Sequence, residues 1–310
     1  MSVRQVSSPA LRRQLPLCPD CQERLERLAD CARCGWRYET VDGIPSLLST
    51  ADRSSPLFNL YVANYLKIAE DDLAHSIQRP EHLAAQASTL RSYLGDVGGR
   101  RVCEIGVGQG LLFDELLVAR PVRLVGVDVA SAYLRPYATR AEVFVANAEN
   151  LPFKRAFDLV VASEVLEHVL NVGDFLLSTR RSLVDGGELA VRVPYRENLL
   201  PYARRLDCPY DLVHLRTFTA DSLVSLLGHA GFRLKRLVYD GCYAYRMRPW
   251  ARALPDFALR RYLSRVYAGR TTGSAVDNAA ARLLFTPATL TAIFERTPRK
   301  AGRKRRSGRS

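Results

Sequence analysis

No apolar run in this 310-residue chain approaches the ~20 residues that span a bilayer, so no transmembrane helix is predicted. The first seventeen residues carry Arg4, Arg12 and Arg13 but lack an apolar core, which argues against a secretory leader. Acids are missing from Arg296 to Ser310, where eight residues are basic. The formal net charge is +13, so about +5 is left for the other 295 residues, and the body shows no strong basic face. A tail of this kind suits RNA or acidic lipid, and suits equally well a solvated, disordered end. The seven cysteines are odd in number and unevenly spread: four fall between Cys18 and Cys34, and Cys103, Cys208 and Cys242 are scattered. That pattern excludes a secreted disulfide framework and fits a reducing cytoplasm. What is present is globular: 47% of residues are hydrophobic, enough for one large domain plus a small module.

Residues 18–34 read C-P-D-C, nine residues, then C-A-R-C. Two Cys-x-x-Cys pairs can place four thiolates around one tetrahedral Zn²⁺, with Cys18, Cys21, Cys31 and Cys34 as ligands. With four cysteines no coordination position stays open, so the expected zinc is structural. A redox dithiol is the alternative reading of either pair. Tyr38 to Leu48 (Y-E-T-V-D-G-I-P-S-L-L) then predicts a short strand, an Asp-Gly turn and an apolar anchor. Residues 50–56 read as a linker, and Leu57 to Leu94 as two helices broken near Pro80.

From Arg101 the pattern alternates strand and helix, which predicts βαβ units and a doubly wound α/β sheet. Strands are expected at 101–105, 123–128, 141–145, 157–162, 188–193 and 232–239, with a last one carried by 283–285 and 290–296. Helices are expected at 110–119, 131–138, 151–154, 172–184 and 220–230. The first strand runs into V-C-E-I-G-V-G-Q-G-L-L, Val102 to Leu112. Glycine at 106, 108 and 110 permits unusual φ values and lets a ligand approach the backbone. The helix that follows offers free N–H groups at its start. Asp128 ends the second strand 22 residues after Gly106, where an acid can accept from ribose hydroxyls. Three features separate this from a dinucleotide site: the spacing G-x-G-x-G rather than G-x-G-x-x-G, Glu104 two residues before the first glycine, and N-A-E-N-L-P-F at 147–153 after the third strand.

Taken together, E-I-G-V-G-Q-G at 104–110, V-G-V-D at 125–128, N-A-E-N-L-P-F at 147–153, F-D-L-V-V-A-S-E-V-L-E-H-V at 157–169 and D-G-G-E-L at 185–189 resemble a class I S-adenosylmethionine-dependent methyltransferase of the type 11-like group. The resemblance implies a Rossmann-like seven-stranded sheet with S-adenosyl-L-methionine as cofactor. In that reading Gly106, Gly108 and Gly110 run under the methionine part, Glu104 lies near its amino group and Asp128 holds the ribose. Asn147 and Ala148 face the adenine (the family more often has Asp at the first of these), and Ser163 borders the cofactor. Residues 1–50, with both Cys pairs and D-G-I-P-S-L-L at 42–48, resemble a Trm112-like, zinc-ribbon-like module that can partner or precede methyltransferases. The implied organisation is this module at 1–50, a linker with capping helices at 51–98, the methyltransferase domain at 99–296 and a basic tail at 297–310.

The end of the fourth strand reads Ala162-Ser163-Glu164-Val165, not the N/D-P-P-Y type used on base amines. The stretch S-E-V-L-E-H-V at 163–169 resembles small-molecule and glycan O-methyltransferases. On a helix Glu164, Glu167 and His168 would share one face. A matching E-x-x-E-H set holds a divalent metal in some quinone-pathway O-methyltransferases. Alternatively Glu164 lines the cofactor pocket and His168, titrating near neutrality, serves as general base. Acceptor contacts are expected from 194–218, with Tyr195, Tyr210, His214 and Arg216 as candidates. The expected activity is O-methylation of a small molecule, sugar or lipid-linked glycan. RNA methylation, with the zinc module and basic tail holding RNA, is the alternative.

Overall fold

The computed structural model describes residues 15–75, 80–203, 208–240 and 287–298, together with residues 248, 250 and 283. Its strands are β1 (Glu39–Val41), β2 (Ile44–Ser46), β3 (Arg101–Ile105), β4 (Arg123–Asp128), β5 (Glu142–Val145), β6 (Phe157–Ser163), β7 (Leu183–Pro194), β8 (Phe232–Asp240) and β9 (Thr289–Arg296). Its helices are α1 (Thr50–Ser54), α2 (Pro56–Ala74), α3 (Pro80–Tyr93), α4 (Leu111–Val118), α5 (Ser131–Leu134), α6 (Val172–Ser182) and α7 (Ala220–His229).

The apolar runs of β3, β4 and β6 are buried on both faces, as the centre of a parallel sheet requires. The sheet order is β1-β2-β5-β4-β3-β6-β7-β9-β8. Seven of these strands form the expected doubly wound sheet, parallel from β5 to β7 and antiparallel where β9 inserts between β7 and β8. Strand order reverses between β3 and β6, so the carboxyl ends of the central strands open a crevice there.

The N-terminal segment continues this sheet. β2 pairs with β5 in parallel, Ser46 against Val145, and the Leu47 N–H donates to Val145 O at 2.8 Å. Trp36 is 1% exposed and its Nε1–H donates to Leu48 O at 2.9 Å. Cys18, Cys31, Trp36 and Leu47 share one apolar cluster with the β3–β6 face of the main sheet.

Three expectations change. Residues 50–54, read as linker, form α1, because Ser49 and Asp52 make a reciprocal capping box: Ser49 Oγ accepts from the Asp52 N–H, and the Ser49 N–H donates to the Asp52 carboxylate. Residues 151–154 form no helix; a 3-10 turn at Ala148–Asn150 replaces it, capped by the Asn147 side chain. Residues 163–169, where a helix would have put Glu164, Glu167 and His168 on one face, form no helix; residues 166–168 make a single turn. The stretch at 284–286 and the tail beyond 298 lie outside the described residues.

Candidate active site

At the crevice a cavity of about 1660 Å³ runs from the glycine loop to the helices α2 and α3. Its floor is the β3–α4 turn. Gly106 and Gly110 take φ of +73° and +79°, and neither tolerates a side chain: a Cβ at Gly106 would sit 2.5 Å from Val165 Cγ2, and one at Gly110 only 1.9 Å from the Tyr137 hydroxyl. Gly108 is at φ +52° and its N–H donates to Asp128 Oδ2 at 3.1 Å. Asp128 Oδ1 accepts from the Ala130 N–H at 2.9 Å. The acid at the tip of β4 therefore fixes the glycine turn as well as lining the cavity.

Glu104 is 2% exposed, and its Oε2 has no hydrogen-bond partner among the described residues. Burial, with Asp128 and Asp114 nearby, pushes its carboxyl well above the usual range. An orphaned buried acid at the mouth of a glycine turn suits a ligand ammonium group. The amino group of S-adenosylmethionine meets that need, the turn leaves room for its methionine part, and Asp128 has lone pairs for a ribose. Asn147 and Ala148 line the same cavity, as does Ser163 at the end of β6. The chain thus brings together Glu104, Gly106, Gly108, Gly110, Asp128, Asn147, Ala148 and Ser163.

Asn147 has a second bond. Its Nδ2 donates to Asp52 Oδ1 at 2.8 Å while its Oδ1 accepts from the Glu149 N–H. An aspartate at 147 would set two carboxylates against each other, which explains the departure from the family pattern.

The cavity lining also carries Tyr61, Tyr65, Tyr133, Tyr202 and Tyr210 with His168 and His214. His168 Nδ1 lies 2.7 Å from Val213 O and 2.5 Å from the Tyr65 hydroxyl. A carbonyl only accepts, so Nδ1 carries the proton and Nε2 the lone pair. The sequence alone suggests a His168 pKa near neutrality. Burial and the adjacent His214 instead push it down to about 3, so the ring is neutral. Glu164, at φ +54°, places Oε1 3.3 Å from Arg192 Nε, and its carboxyl also faces that of Glu167. Glu167 and His168 are grouped with His214, and Glu164 is outside that group.

Of the candidates at 194–218, Tyr210 and His214 line the cavity. Arg216 donates to the carbonyls of Leu166, Val169 and Leu170 and so pins the turn that presents His168. Tyr195 packs on Tyr239 and lies outside the lining. Arg192, Tyr61, Tyr65 and Glu197 line the cavity without having been singled out. The i, i+4 spacing of Tyr61 and Tyr65 on α2 was a usable signal for two of them.

The four N-terminal cysteines converge. Cys18 and Cys34 Sγ are 3.5 Å apart, Cys21 and Cys31 Sγ 3.7 Å, and all four lie within 4.8 Å of one another. A tetrahedron with Zn–S bonds of ≈ 2.3 Å has edges of about 3.8 Å, so the set fits zinc. The first knuckle also bonds to the segments beside the cavity: Asp20 accepts from the Thr50 N–H and hydroxyl at 2.7 and 2.6 Å, and Pro19 O accepts from Asn150 Nδ2 at 3.0 Å.

Residues 74–237 match the family described as the methyltransferase domain. A probable S-adenosylmethionine-dependent methyltransferase of Mycobacterium tuberculosis is 38% identical over 136 residues, covering 43% of this chain and 48% of the relative. A ubiquinone biosynthesis O-methyltransferase of Bradyrhizobium diazoefficiens is 35% identical over 107 residues, covering 32% of this chain and 41% of the relative. The chain spans about half the length or less of these curated relatives. Among solved structures, a chain of the complex between the Haloferax volcanii Trm112 methyltransferase activator and a methyltransferase superposes with a TM-score of 0.52 at 17% identity, covering 78% of this chain and 98% of that one. A SAM-dependent methyltransferase from Archaeoglobus fulgidus gives 0.50 at 20% identity, covering 74% and 99%. The chain belongs to the methyltransferase-domain family.

Proposed function

We propose that this chain is an S-adenosylmethionine-dependent methyltransferase acting on a hydroxyl of a small molecule, sugar or lipid-linked glycan. The observation that carries the reading is the cavity lining beyond the glycine turn. It includes five tyrosines and two histidines, and residues 162–165 at the end of β6 lack the motif used on base amines. The likeness to a ubiquinone biosynthesis O-methyltransferase supports an oxygen acceptor.

The sulfonium of the cofactor supplies an electrophilic methyl group. The protein's part is to hold the acceptor oxygen in line with that methyl and to manage one proton. Glu104 and the glycine turn bind the amino-acid end of the cofactor, and Asp128 binds its ribose. Asn147 and Ala148 border the adenine, and Ser163 and Glu164 form the passage toward the acceptor side. His168 presents Nε2 as a hydrogen-bond acceptor for the acceptor hydroxyl. Tyr65 and Val213 fix that ring by engaging its other nitrogen. The tyrosine rings exclude water and offer stacking surface to a ring-shaped acceptor.

In this reading the N-terminal segment is a Trm112-like module joined in cis, with structural zinc held by Cys18, Cys21, Cys31 and Cys34. The β2–β5 pairing and the Asp52–Asn147 bond support a role in shaping the cofactor pocket. RNA methylation, the alternative, rests on the N-terminal cysteine module together with the basic tail.

The test is incubation of the full chain with methyl-labelled S-adenosylmethionine and fractionated cell extract. Label is expected in small solutes, sugars or lipid-linked glycans, resistant to ribonuclease. Label that is lost on ribonuclease treatment would favour the RNA acceptor.

A further inference from the structure

We propose that Arg192 binds the carboxylate at the amino-acid end of the cofactor, so that Glu104 and Arg192 together hold a zwitterion across the sheet. This rests on the S-adenosylmethionine reading of the cavity and not on the choice of acceptor. Among the described residues that line the cavity, Arg192 is the single arginine, and there is no lysine. Six lining residues are acids: Asp72, Glu104, Asp128, Glu149, Glu164 and Glu197. A ligand carboxylate entering among them is drawn to the arginine and repelled elsewhere.

The sheet sets the two residues on one face. Glu104 pairs with Val161 and Val161 with Ala190, and Arg192 lies two residues beyond Ala190 toward the carboxyl end of β7. Side chains two apart on a strand share a face. Val102, Val161 and Ala190 belong to one apolar cluster on that face. Glu104 follows Val102 by two residues, and Arg192 follows Ala190 by two, so the charges begin where the apolar row ends. Only β6 separates β3 from β7, so about 10 Å of sheet lies between the two backbones. Both side chains line the cavity, and from that spacing they can meet the two ends of one amino-acid head group.

Arg192 is 3% exposed, and its neighbours on β7, Ala190, Val191 and Val193, are buried and apolar. A buried guanidinium needs strong acceptors. Three of its contacts are long: Nε lies 3.3 Å from Glu164 Oε1, Nη1 donates to Gln86 O at 3.4 Å, and Nη2 donates to Thr289 Oγ1 at 3.3 Å. Gln86 and Thr289 line the cavity beside it. A carboxylate accepts more strongly than a carbonyl or a hydroxyl, and its two oxygens match the guanidinium fork. The glycine turn offers no rival donors at its three glycines. The N–H groups of Gly106, Gly108 and Gly110 donate to Val127 O, Asp128 Oδ2 and Val107 O. The start of α4 has Asp114 in its first turn, which already supplies negative charge there.

The experiment titrates three ligands into the full chain by calorimetry: S-adenosylmethionine, its decarboxylated form, and methylthioadenosine, which lacks the amino-acid end. The wild type is expected to bind S-adenosylmethionine at least about tenfold more tightly than the decarboxylated form. In a cavity with six acids, losing the carboxylate would otherwise favour binding. Arg192→Gln should bring the preference close to one. Arg192→Lys should keep only part of it, because lysine retains the charge and loses the fork. Methylthioadenosine should bind all three proteins alike, whereas a merely structural role for Arg192 would weaken all three ligands together. If Arg192→Gln fails to fold, Arg192→Lys decides: a preference reduced several-fold supports the assignment and an unchanged one overturns it. Uniform weakening in the variants, or no carboxylate preference in the wild type, also overturns the role of Arg192 and leaves the cofactor site standing. No binding of S-adenosylmethionine or methylthioadenosine to the wild type overturns the cofactor reading itself.

Discussion

Asn147 Nδ2 donates to Asp52 Oδ1 across 2.8 Å, joining the edge of the cofactor cavity to the capping box of α1. Ninety-five residues separate the two in sequence. The bond ties the N-terminal segment to Asn147, which lines the cavity. Asn147→Asp should therefore set two acids against each other, costing about 1–2 kcal/mol of stability and weakening cofactor binding. Adding Asp52→Asn restores a donor–acceptor pair and should recover most of the loss. Thermal unfolding and calorimetric titration of the two single variants and the double variant measure this coupling.

Metal removal should act on the same N-terminal segment. Metal analysis of purified full-length protein is expected to give one zinc per chain for the cysteine site. Cys18→Ser combined with Cys21→Ser should lower the melting temperature and raise the Kd for S-adenosylmethionine several-fold, because Pro19 and Asp20 between these cysteines hold Asn150 and Thr50. Unchanged cofactor affinity in a folded, zinc-free variant would confine the zinc to local stability.

Glu104 ties cofactor binding to pH. Its carboxyl is pushed well above the usual range, so the empty site favours the protonated acid. An incoming ammonium group favours the carboxylate, so binding should release a proton. Calorimetry in two buffers of different ionisation enthalpy should show this release in the wild type, and its loss in Glu104→Gln, along with weaker binding.

A second pH effect lies at the opposite end of β3. Asp158 accepts from the Arg101 N–H and Nε at 2.9 Å and from Nη2 at 2.8 Å. The Arg101 side chain beside it lowers its folded pKa. The carboxylate thus stabilises the fold above its unfolded pKa of about 3.9, and that contribution is lost as pH falls through the lower folded value. Asp158→Asn should cost about 1–2 kcal/mol at pH 7 in urea unfolding, with the difference shrinking below about pH 4.

Local chemistry was the legible part of this protein. Gly106 and Gly110 are needed for their φ and for clearance from Val165 and Tyr137, and such needs appear directly as residue type. The buried strands appear as apolar runs and the four-cysteine cluster as two Cys-x-x-Cys pairs. What stayed hidden depends on long-range meetings. The three-residue strand β2 carries no signal that it will pair with β5. Residues 50–54 look like a polar linker because their capping acid is Asp52, where a capping box more often has Glu or Gln. His214 and Glu167 are 47 residues apart, and only the loop closed by Arg216 onto the 166–170 turn brings them together.

The most direct measurement is calorimetric titration of S-adenosylmethionine into the full chain and into Asp128→Ala. That substitution removes the acceptor for the Gly108 and Ala130 N–H groups together with the proposed ribose contact. One site per chain in the wild type, weakened about tenfold or more in a folded Asp128→Ala, is the predicted result. No binding to the wild type, or equal affinity in the variant, would contradict the cofactor site on which the whole account stands.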